Sequence, residues 1–289
     1  MNILITGASG FVGRALVEKL LKGKDDIFLV SRDRGFKYKN ARVFYGNLED
    51  QSFCKKIVKN IDIVYYLASF KKNIGVHTGA PFDVLVENVS PLLAFLEAVK
   101  VSKVRKIIYI SSSIVEYALN QSDKLDGYVL GKYINELVLK SFSVQNNIDI
   151  KIIRPSAIYG PGNDFNLETA NVIPSLIVKA KEAKNEMVIW GKGTRKLQFV
   201  YIDDLVSNLI ATQESKEKFF NIGNAEVVSI KNLVLKITKL TGKKLKIIND
   251  LTKPDKETQL SKFNNLVKPK VKLDDGIKRT IKYYNEYYA

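Results

Sequence analysis

The sequence predicts an α/β protein: a Rossmann-type doubly wound parallel sheet, followed by a smaller C-terminal α/β domain. Three observations carry this. Short apolar runs alternate with amphipathic helical stretches through the first half of the 289 residues. The stretch "ITGASGFVGRAL" puts three glycines, Gly7, Gly10 and Gly13, between the first strand and the first helix. After Tyr159 the alternation breaks into shorter, mixed pieces.

The elements follow in order. "NILIT" is β-branched, four to five residues long and ended by glycine, which reads as a strand. "GRALVEKLLKG" carries apolar residues at helical spacing and stops at Gly23. Then come "DIFLVS" (strand), "DQSFCKKIVKN" (helix), "DIVYYLA" (strand), "PFDVLVENVSPLLAFLEAVKV" (helix) and "KIIYISS" (strand). "YVLGKYINELVLKSFSVQ" is the next helix and "DIKIIRPSAIYG" the next strand. Strands joined through helices form a parallel sheet covered on both faces, which suits their nearly continuous apolar character. Beyond "GPGNDF" lie the helix "VIPSLIVKAKEAK", the strand "VIWG" and the strand-to-helix unit "FVYIDDLVSNLIATQES". Short strands "FFNIGN" and "LKIIND" flank the helix "SIKNLVLKITKLTG", and "GIKRTIKYYNEYYA" is a last helix. The expected domains are 1–160, binding the cofactor, with later segments returning to it, and 161–289, mainly binding substrate.

Composition narrows the function classes. No stretch of about 18 apolar residues occurs, so no membrane span is expected. "MNILITG" lacks the basic and apolar regions of a secretory signal, which points to the cytoplasm. One cysteine, Cys54, excludes a disulfide framework, and with one histidine, His77, no metal site is expected. The net charge of +16 can attract phosphorylated ligands or nucleic acid. The basic residues are dispersed and no nucleic-acid motif is present, so a solvated lysine-rich surface is the reading.

The glycine triplet gains meaning from its place. Following a strand and opening a helix is the context a dinucleotide site requires. Gly7 allows the tight turn, Gly10 a close approach to the pyrophosphate and Gly13 helix–strand packing, while the N–H groups around Phe11 and Val12 face the diphosphate. The competing reading is a turn rich in small residues. The second strand ends in Ser31 and Arg32, where an acid would hold an NAD ribose. A hydroxyl and a guanidinium suit a 2′-phosphate, so NADP(H) is favoured over NAD(H); Arg32 as a surface charge is the alternative.

"SSSIVEYALNQSDKLDGYVLGK" carries the chemistry. Tyr128 and Lys132 stand four apart on one helix face, where the ammonium is expected to lower the phenol's pKa. Such a tyrosine exchanges a proton with a substrate oxygen while hydride passes to or from nicotinamide. Ser113, at the end of the preceding strand, can hydrogen-bond the same oxygen.

The G-x-x-G-x-x-G spacing and the Ser–Tyr–Lys set resemble the extended short-chain dehydrogenase/reductase family of nucleotide-sugar epimerases and dehydratases. "GASGFVG", "GNLED", "YLAS", "ENV", "RPSAIYGPG", "NVIPSL", "FVYIDDL" and "FNIGN" extend the resemblance over almost the whole chain. It implies that Asn47 and Leu48 contact adenine, that Leu67 and Ala68 line the cofactor cleft, that Tyr128 and Lys132 also bind the cofactor, and that Ser113, Asn171 and Val172 contact substrate. It also implies a homodimer. Several stretches resemble the GDP-fucose synthase branch, but that branch uses a cysteine and a histidine for epimerisation beside the carbonyl, and Val115 and Asn171 stand there. The acidic pair of a 4,6-dehydratase is replaced by Ile114 and Val115. The branch's diphosphate arginine position holds Leu197, with Arg195 two residues earlier as a replacement or a solvated charge. His77 falls in a loop where the family keeps substrate residues; a surface histidine is the alternative.

The resemblance therefore implies a nucleotide-sugar oxidoreductase acting at C4. A GDP- or dTDP-type 4-keto-6-deoxy sugar reductase in cell-surface glycan precursor synthesis is favoured. The alternatives are an NAD-dependent 4-epimerase, or an NADP(H)-binding protein without catalysis.

Overall fold

The computed structural model describes residues 1–71, 74–118, 126–252 and 260–288; residues 119–125 of the serine-to-tyrosine segment lie outside this description. The chain divides into two compact units, residues 1–154 with 206–220, and 155–205 with 221–289.

The first unit contains β1 (Asn2–Thr6), α1 (Phe11–Leu20), β2 (Asp26–Ser31), β3 (Arg42–Tyr45), α2 (Gln51–Ile57), β4 (Ile63–Tyr66), α3 (Ile74–Gly79), α4 (Pro81–Val99), β5 (Lys106–Ile110), α5 (Ile114–Ala118), α6 (Gly127–Asn146) and β6 (Asp149–Pro155). The second holds β7 (Ala157–Tyr159), α7 (Val172–Glu182), β8 (Glu186–Trp190) and β9 (Lys196–Tyr201). Then α8 (Ile202–Ala211) and β10 (Phe219–Ile222) return to the first unit's sheet, before β11 (Val227–Ser229), α9 (Ile230–Leu240), β12 (Lys246–Asp250) and α10 (Leu273–Tyr287).

Seven strands form the main sheet in the order β10-β6-β5-β4-β1-β2-β3, and the pairings from β3 to β6 are parallel. Ile3, Leu4, Ile5, Ile107, Ile108 and Tyr109 are all fully buried, as strands covered on both faces must be. The sheet is the predicted doubly wound one. β1 lies between β2 and β4, so chain order reverses there, and ligands of such sheets bind at the carboxyl ends flanking this switch point.

The structure adds α3, α5 and β11 to the sequence reading, and two further elements differ from it. "RVFY" forms β3, an edge strand of four residues; Arg42 at its start and its partly exposed side chains hide it from a hydropathy reading. "DIKIIRPSAIYG" is two strands: β6 stays in the main sheet, while β7 pairs with β9 in a separate three-stranded sheet, β11-β9-β7. In the second unit β8 and β12 form a parallel pair.

Candidate cofactor and catalytic site

The end of β1 is joined to the end of β4 through one hydroxyl. Thr6 Oγ1 accepts from the backbone N–H of both Leu67 and Ala68, each at 3.2 Å. The following loop therefore runs against Leu67 and Ala68. Gly7 has φ +66°, and a Cβ there would lie 2.8 Å from Ala68 N. A Cβ at Gly13 would lie 2.2 Å from Gly7 O and 2.8 Å from Ala8 Cα, so the close packing at Gly13 is against the loop itself, not against the strand. Gly10, by contrast, meets only Gly7 O, at 3.2 Å. It caps α1 without a side chain, and the helix begins with Arg14 N bonded to Gly10 O at 2.9 Å. The first-turn N–H groups of Phe11 and Val12 thus have no intrahelical acceptor and carry the positive end of the helix dipole. This cradle of bare backbone fits a dinucleotide diphosphate.

At the end of β2, Ser31 is only 3% exposed. Its hydroxyl lies 3.1 Å from Ser9 Oγ and accepts the Asp33 N–H at 3.0 Å. Asp33 in turn accepts Gly35 N–H at 2.7 Å, which fixes the turn. Ser31 is therefore engaged within the loop, whereas Arg32 is exposed. A second guanidinium belongs to the same corner: Arg14 Nε donates to Ser9 O at 2.8 Å and its Cζ lies 5.1 Å from the Phe36 ring centroid. The sequence reading passed over Arg14; its position directly after Gly13, in the first turn of α1, is the signal that was available. Asn47 is exposed, its side chain bonded to Glu49, and Leu48 is buried beside Cys54, whose thiol burial pushes up to about 12.

The carboxyl end of β5 meets α6. Lys132, 2% exposed, donates from Nζ to Ile110 O at 2.8 Å. That Nζ lies 5.0 Å from the Tyr109 ring centroid and 5.8 Å from that of Tyr128. Ser113 follows three residues after Ile110, and its carbonyl starts the turn of α5. Below Lys132, fully buried Glu136 accepts Ser111 Oγ at 2.5 Å and a bidentate Arg154 at 2.8 and 2.6 Å. Gly131 lets α6 approach α4, where a Cβ would sit 2.9 Å from Asn88 Cβ. Asn88, from "ENV", bonds Ser69 Oγ, both backbone groups of Phe70 and Val84 O, so it holds the segment leaving β4.

The electrostatics correct the sequence expectation. Burial lowers the Lys132 pKa to about 7, against the Glu136 charge that raises it. Burial, with Asp126 adding to it, raises the Tyr128 phenol above its ordinary value, so the phenol is not made more acidic here. Its hydroxyl is held protonated at neutral pH.

His77 is neither on a loop nor on the surface. It lies on α3, 4% exposed, with its ring 5.1 Å from that of Tyr128 and 12° from parallel. Asp126, the N-cap of α6, accepts Tyr128 N–H at 2.9 Å and lies 3.7 Å from His77 Nδ1.

The remaining predicted residues belong to the second unit. Asn171 is the N-cap of α7, Val172 its first residue, and Arg195 precedes β9, with its carbonyl accepting Ile230 N–H at 2.9 Å. Leu197 is buried on β9 and Val115 is fully buried on α5. Among the described residues no helix is long and apolar enough to cross a membrane, and no His, Cys, Asp and Glu cluster is placed to hold a metal ion.

The chain is 27% identical to a protein named putative GDP-L-fucose synthase 2 of Arabidopsis thaliana, over 99% of this chain and 92% of that one. It is also 27% identical to a dTDP-4-dehydro-6-deoxy-D-allose reductase of Streptomyces, over 88% and 85% of the two chains. A UDP-glucose 4-epimerase of Thermotoga maritima, solved with UDP-glucose, shares the fold with a TM-score of 0.89 at 23% identity, covering 100% of both chains. The family model described as NAD dependent epimerase/dehydratase matches residues 3–223. With the parallel sheet, the glycine cradle at its switch point and Tyr128 over Lys132, this shows that the chain belongs to the NAD dependent epimerase/dehydratase family.

Proposed function

We propose that the chain is an NAD(P)(H)-dependent nucleotide-sugar oxidoreductase acting at C4, reducing a GDP- or dTDP-type 4-keto-6-deoxy sugar. The observation that carries this reading is the placement of Tyr128 on the first turn of α6, its ring 5.8 Å from Lys132 Nζ. Tyr128 gives its proton to the C4 oxygen, Ser113 hydrogen-bonds that oxygen, and Lys132, in its protonated form, offers positive charge to the phenolate left behind. When bound, a nicotinamide would supply the hydride for C4. Gly7, Gly10 and Gly13 would hold its diphosphate, and in the second unit Asn171, Val172 and Arg195 are the candidates for substrate contact. Val115, Ile114 and Asn171 can neither take nor give the protons that epimerisation at neighbouring carbons or loss of water requires. The similarity to a protein named a dTDP-4-dehydro-6-deoxy-D-allose reductase supports the same class.

A 4-epimerase retaining NAD is the second reading, favoured by one observation: the Ser31 hydroxyl is taken up by Ser9 and Asp33, so it does not stand ready for a 2′-phosphate. One experiment separates the two. A 4-keto nucleotide sugar is incubated with NADPH in D₂O and the product read by NMR. The reductase gives NADPH consumption with no deuterium beside the carbonyl. Inversion at C4 without net NADPH use establishes the epimerase. Enzyme-dependent deuterium at C3 or C5 overturns the assignment to C4 alone.

A further inference from the structure

We propose that His77 is the positioning residue of Tyr128, its neutral imidazole holding the phenol ring flat from the side of α3. The catalytic part of this inference rests on the function proposed above. A phenol on the first turn of a helix has two freely rotating torsions, and proton transfer to a substrate oxygen needs the hydroxyl fixed to a fraction of an ångström. Three contacts fix it here. The Asp126 carboxylate holds the Tyr128 backbone N–H at 2.9 Å and the Val129 N–H at 3.1 Å. Lys132 Nζ lies 5.8 Å from the ring. His77 lies over the ring face, 5.1 Å between centroids at 12°.

The same Asp126 oxygen that caps α6 lies 3.7 Å from His77 Nδ1, so the cap, the phenol and the imidazole form one cluster tying α3 to α6. The contact is sensitive to charge. Burial and Lys71 disfavour the imidazolium, while Asp126 favours it; among the described residues, Tyr128 is a further titratable group against it. Burial is the largest influence, so His77 is neutral at neutral pH and gains its proton below the ordinary histidine value of about 6.5. A proton there puts a cation beside the phenol and draws the imidazole toward the Asp126 carboxylate. His77 charging therefore gives turnover an acid limb.

Because His77 is the only histidine in the sequence, its imidazole resonances need no assignment. In the full-length protein, NMR titration is expected to show ring protons shifted upfield by the stacked phenol, with a pKa below about 6.5. Tyr128→Leu should abolish the upfield shift. Asp126→Asn, which still caps a helix, should lower the His77 pKa further. Resonances at solvent-exposed positions, or a titration indifferent to both substitutions, overturn the stack whatever the enzyme's substrate. With the substrate established, His77→Phe keeps a flat ring without a proton and should hold kcat within about threefold near pH 8, lacking only the acid limb, whereas His77→Ala should lose about ten- to hundredfold in kcat with little change in KM. An acid limb unchanged in His77→Phe, or full kcat in His77→Ala, removes the positioning role.

Discussion

The glycine loop at the end of β1 and the candidate catalytic corner at the end of β5 belong to one sheet, with β4 between them, yet they are built in opposite ways. The loop works by missing atoms. A Cβ at Gly7 or Gly13 would lie within 3 Å of backbone, and Gly10 caps α1 with no side chain at all. The corner works by crowded side chains. Lys132, Glu136, Ser111 and His77 are nearly or fully buried, and they interlock through Ile110 O, Arg154 and Asp126. A site made of backbone is specified by spacing along the chain. A site made of side chains is specified by whatever the fold packs around them. The two should therefore fail to opposite changes, the loop to added atoms and the corner to removed ones.

The largest expected effect is in the corner. Tyr128→Phe removes one oxygen and should cut turnover by about 10²–10⁴, the range for a general acid–base group, or about 2.7–5.5 kcal/mol of barrier. Cofactor affinity, measured by NADPH fluorescence titration, should change little, because the glycine cradle is built from the backbone of the loop between β1 and α1. Near-normal turnover would show that another group moves the proton.

Next is the loop. Gly13→Ala adds one methyl group, placed 2.2 Å from Gly7 O and 2.8 Å from Ala8 Cα, both part of rigid backbone. Either α1 or the Gly7 turn must shift, at about 1–3 kcal/mol of stability for overpacking. Cofactor binding should weaken with it, since the same turn aims the Phe11 and Val12 N–H groups. Thermal unfolding with and without cofactor reads both. A variant with unchanged Tm and unchanged cofactor stabilisation would mean that the loop tolerates atoms and that the comparison between the two regions fails.

The same contrast explains what the sequence made legible. Alternating strands and helices predicted the doubly wound sheet because each apolar run was long enough to show its period. β3 was missed because it is four residues at an edge, with partly exposed side chains and Arg42 at its start. The split of β6 from β7 was missed because Ser156 interrupts an otherwise continuous apolar run by a single residue. In the loop, the three glycines and their place between β1 and α1 were legible from spacing, but the packing of Gly13 against the loop and the presence of Arg14 were not. In the corner, Tyr128 and Lys132 were legible at four-residue spacing, but their charge states were not. Those depend on burial and on Asp126, Glu136 and Lys71, and Lys71 is some sixty positions from Lys132 in the chain.

The smallest expected effect concerns the second corner of the cradle, where spacing and packing disagree. Spacing assigns a 2′-phosphate to Ser31 and Arg32. Packing engages the Ser31 hydroxyl with Ser9 and Asp33 and brings Arg14 to the same Ser9 through its carbonyl. If a 2′-phosphate binds, the guanidiniums rather than the hydroxyl hold it. Arg32→Ala and Arg14→Ala should then each weaken NADP(H) by about 1.5 kcal/mol, the lower end for a hydrogen bond to a charged group, because both side chains stay in contact with solvent. NAD(H), which lacks that phosphate, should be nearly unaffected. Ser31→Ala should act alike on both cofactors, since what it disturbs is the turn from Ser31 to Gly35. Isothermal titration of both cofactors against the three variants measures this. A loss confined to NADP(H) in Ser31→Ala would return the assignment to spacing. Equal losses for both cofactors in the arginine variants would leave the protein without a 2′-phosphate site and favour the NAD-retaining epimerase.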